Sequence, residues 1–209
     1  MRDETLPLSH FEDLYSRSAD PWRFASSPYE AAKYAATLAA LPRSRYARGL
    51  EVGCSIGVFT AALADRCDDL LALEPVEAAL AAAAARNAAK PWVRFTRAFV
   101  PQAWPQECFD LVILSEVLDY LAAPDVHAIA DRLRSTLDPG GDVVLVHWIG
   151  KKADPLPKPG ESSEILIRAT ADVLRPVFQD RNAQYRLDVL RRMGGPDGAP
   201  GRRGYTTLP

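Results

Sequence analysis

The stretch from Gly49 to Thr60, Gly-Leu-Glu-Val-Gly-Cys-Ser-Ile-Gly-Val-Phe-Thr, restricts the fold more than any other part of the chain. Leu50 and Val52 read as the end of a buried strand, and Gly53, Ser55 and Gly57 make a turn nearly free of side chains. Val58 to Leu63 then begins a helix. A bare turn lets a ligand press against main chain, and the helix start beyond it offers unpaired N–H groups. Glu74 stands twenty-one residues after Gly53 and ends the apolar run Leu70 to Leu73, where a second parallel strand places an acid against ribose hydroxyls. Three alternatives attach to such a turn: an ordinary bend, a dinucleotide cradle and a serine nucleophile elbow. The elbow needs a larger hydrolase scaffold with a partner acid and His, and the chain has only three His. The dinucleotide fingerprint lacks its third glycine, and a pyrophosphate would meet the bulk of Phe59. Glu74 also argues against NADP, whose extra phosphate it would repel.

The remaining spacing is acid, one residue, Gly, one residue, small, one residue, Gly. Glu51-Val52-Gly53-Cys54-Ser55-Ile56-Gly57 resembles the first motif of class I S-adenosylmethionine-dependent methyltransferases, with Ser55 where Gly is commoner.

A length of 209 residues suits one domain with a small terminal addition, and 48% hydrophobic content is enough for a sizeable core. The formal charge of -2 gives no general attraction to nucleic acid or to an anionic membrane. Met1-Arg2-Asp3-Glu4-Thr5 lacks the apolar core of a signal peptide, and no run reaches the roughly 18 apolar residues that span a bilayer, so a soluble, cytoplasmic protein is expected. Cys54, Cys67 and Cys108 form no Cys-x-x-Cys pair, and no His, Asp or Glu cluster has metal-ligand spacing, so neither a disulfide framework nor a metal is implied. Cys54 reads as packing under the turn.

Phe11, Leu14 and Tyr15 fall at helical spacing in residues 9 to 18, with Ser9 as cap. Asp20 to Phe24 breaks that helix, and Pro28 opens a second that runs to about Ala40. Two readings fit the pair: plain packing, or a lid in which Trp22, Arg23, Tyr29 and Lys33 cover a small ligand. Strands follow at 92 to 98, 111 to 114 and 142 to 148, with helices at 78 to 90 and 126 to 137, the latter ended by Pro139-Gly140-Gly141. The Pro-rich segment 151 to 162, with its three lysines, reads as an acceptor-binding lid. A helix at 163 to 174 and strands at 176 to 179 and 185 to 191 close the pattern, the last alternating Tyr185, Leu187, Val189 against Arg186, Asp188, Leu190. Residues 194 to 209, rich in Gly, Pro and Arg, read as a tail in which Arg202-Arg203 suit an acidic partner. The expected division is a helical lid at 1 to 45, a cofactor domain at 46 to 193 and this tail. The alternation of strand and helix predicts an α/β, doubly wound, mostly parallel sheet with an antiparallel final strand.

Asp20-Pro21-Trp22, Tyr29-Glu30 with Lys33-Tyr34, Glu51 to Gly57, Ser115-Glu116-Val117-Leu118 and His147-Trp148 together resemble the NodS-like methyltransferases over residues 10 to 193. That family is named for an enzyme that N-methylates the free amine of a chitooligosaccharide. The resemblance implies a seven-stranded Rossmann-like sheet, S-adenosyl-L-methionine as cofactor and a small-molecule acceptor, first an amine, then a hydroxyl. It implies Gly53, Ser55 and Gly57 along the methionine part, Glu51 near the amino group and Glu74 on the ribose. An Asp expected before Val-Pro in the family is Phe99 here, so Phe99 and Val100 would hold adenine by stacking or by backbone. Ser115, at the end of the fourth strand, joins them.

At the same ligand edge stand Glu116, Asp119, Tyr120, His147 and Trp148. Glu116 is the first candidate to accept a proton from a substrate amine, and His147 the second. Tyr120 would orient the acceptor, and Asp119 would touch it. The plain readings stay open: Glu116 capping a turn, Asp119 solvated, His147 bonded in the core. A nucleotide-dependent oxidoreductase, an O-methyltransferase and a degenerate binding subunit are the competing functions.

Overall fold

The computed structural model describes residues 1–150 and 158–194. The 151–157 part of the expected acceptor lid, and all of the expected tail beyond Gly194 with Arg202-Arg203, lie outside the described residues.

Seven strands form one sheet in the order β3-β2-β1-β4-β5-β7-β6. They are β1 Tyr46–Val52, β2 Cys67–Glu74, β3 Val93–Arg97, β4 Phe109–Ser115, β5 Leu137–Trp148, β6 Leu174–Arg181 and β7 Tyr185–Arg192. All neighbours are parallel except β5 with β7 and β7 with β6. Chain order runs outward from β1 to β3, then crosses back to β4 beside β1. That reversal opens a crevice at the carboxyl ends of β1 and β4.

Among the described residues six α-helices flank the sheet: α1 Leu8–Arg17, α2 Pro28–Ala40, α3 Val58–Leu63, α4 Glu77–Arg86, α5 Ala123–Thr136 and α6 Glu161–Ala169. Strand residues alternate faces. Val112, Leu114, Val143 and Leu145 pack with Ile129 and Leu133 of α5 and Leu166 of α6. Leu111, Ile113, Val144 and Val146 pack with Phe59 and Leu63 of α3, backed by Tyr34 and Leu38 of α2. Both faces are covered, which is why the central strands are continuously apolar.

Three expectations shift. Ser9 lies inside α1, whose N-cap is Pro7 without a side-chain hydrogen bond, while Ser27 caps α2 by accepting from Glu30 N at 3.3 Å. Helix α5 stops at Thr136, so Pro139-Gly140-Gly141 begins inside β5, where the ladder to β4 slips between Phe109 and Leu111. Strand β7 is an inner strand, paired by β6 on its outer edge, and its residues 186–190 are buried on both faces, with Arg186 against Asp188.

Candidate active site

The turn after β1 passes through left-handed backbone at Gly53 (φ 75°), Ser55 (φ 51°) and Gly57 (φ 73°). Gly53 N and Cys54 N both donate to Leu73 O, at 2.8 and 2.9 Å, and this ties the turn to the end of β2. The two glycines have different reasons to be bare. Gly53 borders the crevice, and a Cβ there would stand 3.0 Å from Val117 Cγ2 in a conformation that side chains disfavour. Gly57 turns the other way: a Cβ would meet Ala83 Cα at 2.8 Å and Asn87 Nδ2 at 2.7 Å. Gly57 therefore serves the contact of the turn with α4, a correction to its expected place along a ligand.

Glu74 faces the turn. Its Oε2 accepts from Ser55 N at 2.9 Å and its Oε1 from Val76 N at 3.0 Å. Burial pushes its carboxyl up to about 7, against the pull of those two donors. Glu51, at the end of β1, is 3% exposed, and its Oε2 is buried without a well-formed hydrogen bond among the described residues, although the Thr60 hydroxyl favours its ionised form. Burial lifts Glu51 to about 7 as well. Both acids border one crevice with no cation bonded to either among the described residues.

Phe99, Val100 and Ser115 border the same space. Its roof is aromatic. Tyr15 meets Trp22 edge-on at 5.7 Å, Trp22 stacks on Phe24 at 5.6 Å, and Tyr34 stacks on Phe59 at 4.9 Å. Tyr15 also closes on the turn itself, its hydroxyl 2.6 Å from Ser55 Oγ. Phe11 meets Tyr120 edge-on at 5.1 Å, so Trp22 and Tyr120 stand at the crevice as expected. Sequence reading did not single out Phe11, Tyr15, Phe24 and Tyr34 as bordering the crevice, although the i, i+4 spacing of Phe11 and Tyr15 marks one face of α1.

Beyond Ser115 the chain enters Glu116 with φ 58°, a sparsely populated state for a side-chain-bearing residue. Glu116 Oε1 accepts from Lys33 Nζ at 2.7 Å and Oε2 from Trp148 N at 3.0 Å. Lys33, 2% exposed, also stands 3.0 Å from Glu30 Oε2. One buried ammonium thus joins α2 to the ends of β4 and β5. Glu30 borders the crevice too. Its signal was present as Tyr29-Glu30-x-x-Lys33-Tyr34, with acid and base three apart on one helix face.

Several expected site residues lie elsewhere. His147 is fully buried: Nε2 accepts from Leu118 N at 3.2 Å and Nδ1 lies 3.2 Å from Ser163 Oγ. Burial lowers its basicity, and it shares a strand face with Val143 and Leu145 beneath α6, so it is a core His and not a base in the crevice. Asp119 is buried against Ser162, whose hydroxyl donates to it at 2.5 Å. Arg23 is exposed and outside the crevice. Tyr29 and Trp148 pack edge-on at 5.3 Å beside the crevice without bordering it.

The family described as Nodulation protein S (NodS) matches residues 11–147. Nodulation protein S of Rhizobium tropici is 33% identical over 128 residues, 60% of this chain and 54% of that protein. Nodulation protein S of Sinorhizobium fredii is 35% identical over 130 residues, 60% of this chain and 59% of that protein. The chain therefore spans little more than half the length of these curated relatives. The crystal structure of the N-methyltransferase NodS from Bradyrhizobium japonicum WM9 with S-adenosyl-L-homocysteine superposes with a TM-score of 0.74 at 23% identity, covering 88% of this chain and 97% of that one. That likeness establishes the Rossmann-like methyltransferase fold.

Proposed function

The chain belongs to the NodS family, and on that premise we propose that it is an S-adenosyl-L-methionine-dependent methyltransferase acting on a small-molecule amine. The observation that carries this reading is the pair of buried acids at the ends of β1 and β2. Glu51 has a carboxylate oxygen without a well-formed hydrogen bond, and Glu74 is fixed by Ser55 N and Val76 N at the rim of the turn. Such groups fit a ligand that brings its own ammonium and hydroxyls. Gly53 leaves room against Val117 for the ligand's chain, and Phe99 and Val100 offer a flat wall for an adenine.

When bound, the cofactor supplies a methyl group already activated by its sulfonium. The protein's part is then to hold an acceptor lone pair in line with that group, exclude water and deal with the acceptor's proton. Phe24, Tyr34 and Trp22 provide the dry roof, while Glu30 and Glu116 provide negative charge beside the acceptor's place. Two carboxylates shared by the single Lys33 ammonium leave a net negative charge under an aromatic roof, which suits a cation better than a neutral hydroxyl and favours an amine over an alcohol. The Bradyrhizobium relative's description as an N-methyltransferase supports a nitrogen acceptor, and an amino sugar heads the candidates because the NodS-like family is named for an enzyme that methylates a chitooligosaccharide amine.

Calorimetric titration with S-adenosyl-L-homocysteine tests the cofactor half of this reading, with micromolar or tighter binding expected. Mass spectrometry of the product from a chitooligosaccharide with one free terminal amine tests the acceptor half. Absence of cofactor binding removes the whole proposal; binding with transfer only to hydroxyl probes removes the amine.

A further inference from the structure

Two acids approach the acceptor's place, and the sheet-borne one, Glu116, is the obvious candidate for the base. Its geometry argues otherwise. A general base needs a lone pair turned toward the proton it will take, within hydrogen-bond reach. Glu116 has both oxygens engaged, one by the Lys33 ammonium at 2.7 Å and one by Trp148 N at 3.0 Å, and its left-handed backbone fixes that pose. Freeing Oε1 would break the contact that joins α2 to the sheet, and freeing Oε2 would break the tie to the end of β5.

Glu30 is placed differently. It lies on α2 in the roof, one turn before Lys33, and borders the same crevice as Ser115 and Glu116. Its Oε1 accepts from Lys33 Nζ at 3.2 Å, while Oε2, 3.0 Å from the same ammonium, is buried and makes no directed hydrogen bond. We infer that Glu30, on the lid helix, is the catalytic residue that takes a proton from a substituted ammonium acceptor, with Lys33 and Glu116 as its positioning residues. This rests on the methyl-transfer reading above and adds to it which acid acts and from which side.

The proton balance is simple. The acceptor R–NH3+ gives one proton to the Glu30 carboxylate, leaving R–NH2 with the lone pair needed for attack and Glu30 as the neutral acid; water then removes the proton from Glu30 between turnovers. Lys33 makes this workable in both directions. It stabilises Glu30 when ionised, and when Glu30 is neutral the ammonium keeps its shorter bond to Glu116, so no buried charge is stranded. The charged groups facing Glu30 are Lys33 from its own helix, Glu116 from the end of β4 and Asp20 from the loop before α2. Burial raises the Glu30 carboxyl above the usual range, Lys33 opposes this, and Glu116 and Asp20 add to it. That brings its basicity closer to working pH, where a base is most effective.

The test compares wild type, Glu30→Gln and Glu30→Asp on a chitooligosaccharide with one free terminal amine, from about pH 6 to about pH 10, together with S-adenosyl-L-homocysteine titrations. Glu30→Gln should lower kcat about 100-fold near pH 7 while KM and the cofactor Kd stay within about threefold. The deficit should shrink as pH approaches the amine's own pKa, because the acceptor then arrives neutral, and Glu30→Asp should recover part of the rate. An unchanged kcat, a loss equal at every pH, or a loss of cofactor affinity in Glu30→Gln each overturns the assignment of Glu30 alone. A wild-type chain that binds no cofactor, or methylates no amine in a panel that includes glucosamine and simple alkylamines, overturns the parent reading and this one together.

Discussion

The two ends of the sheet treat buried acids in opposite ways. At the amino end of its parallel strands, Asp142 is fully buried, yet it accepts from Arg191 at 2.8 and 3.2 Å and from the Tyr46 hydroxyl at 2.9 Å, with Arg43 beside it. Asp110 there, half-buried, meets Arg43 Nη1 at 3.4 Å in addition to accepting from Ala47 N at 3.0 Å and Arg48 N at 2.8 Å. At the carboxyl end, Glu51 has an oxygen with no well-formed hydrogen bond and Glu74 has only main-chain donors, and burial pushes both up to about 7. Asp142, with both oxygens hydrogen-bonded and two arginines around it, is finished structure. A buried acid left without a cation is a site waiting for charge from a ligand.

The strongest challenge to this contrast is Gly53→Arg, which puts bulk and a cation into the open turn. It should abolish S-adenosyl-L-homocysteine binding, at least 100-fold by calorimetry, while far-UV circular dichroism stays unchanged; retained affinity would show that the turn is not the cradle. At the other end, Asp142→Ala removes the acceptor shared by Tyr46 and Arg191. We expect a loss of about 2–3 kcal/mol in urea unfolding, with cofactor affinity of the folded chain within twofold. Arg191 is 38% exposed and can return to water, which keeps the loss below that of a fully buried orphan charge.

The pH dependence sharpens the comparison further. Glu51 and Glu74 are raised from the usual 4.5 to about 7, so the native chain holds protons that the unfolded chain has released. Stability from these two groups is fully present below pH about 4.5 and is lost as pH rises toward and through about 7. Tm of the ligand-free protein should therefore fall across that window, and the double change Glu51→Gln, Glu74→Gln should flatten the fall. Cofactor binding near pH 6.5 should release protons, seen as a dependence of the calorimetric enthalpy on the buffer. The smallest expected effect is Tyr15→Phe, which removes the hydroxyl that meets Ser55 Oγ at 2.6 Å. Cofactor affinity should change by about 1 kcal/mol, which sets the contribution of this roof contact apart from that of the turn.

Some corrections have a common origin. Glu116 is the first candidate base in the sequence and His147 the second, since each sits where a strand delivers side chains to the ligand edge. Alternation along β5 puts His147 on the face of Val143 and Leu145, but only the placement of α6 decides that this face is sealed by Ser163 and Leu118. Gly57 and Gly53 are equally bare in the sequence, and the direction in which each missing side chain would point depends on how α4 packs against the turn. Glu30 and Lys33 stand three residues apart on α2, and the bond from Lys33 to Glu116 joins residues 83 positions apart.

By itself the sequence determined the elements, their order and the cradle, because strand and helix periodicity, turn chemistry and the Glu51 to Gly57 spacing are local properties written within a few residues of one another. Tertiary structure alone decided which polar side chains remain facing the crevice and which are spent in the core. Burial and hydrogen-bond partnership depend on what arrives from distant parts of the chain, as α6 does over His147 and α2 over Glu116.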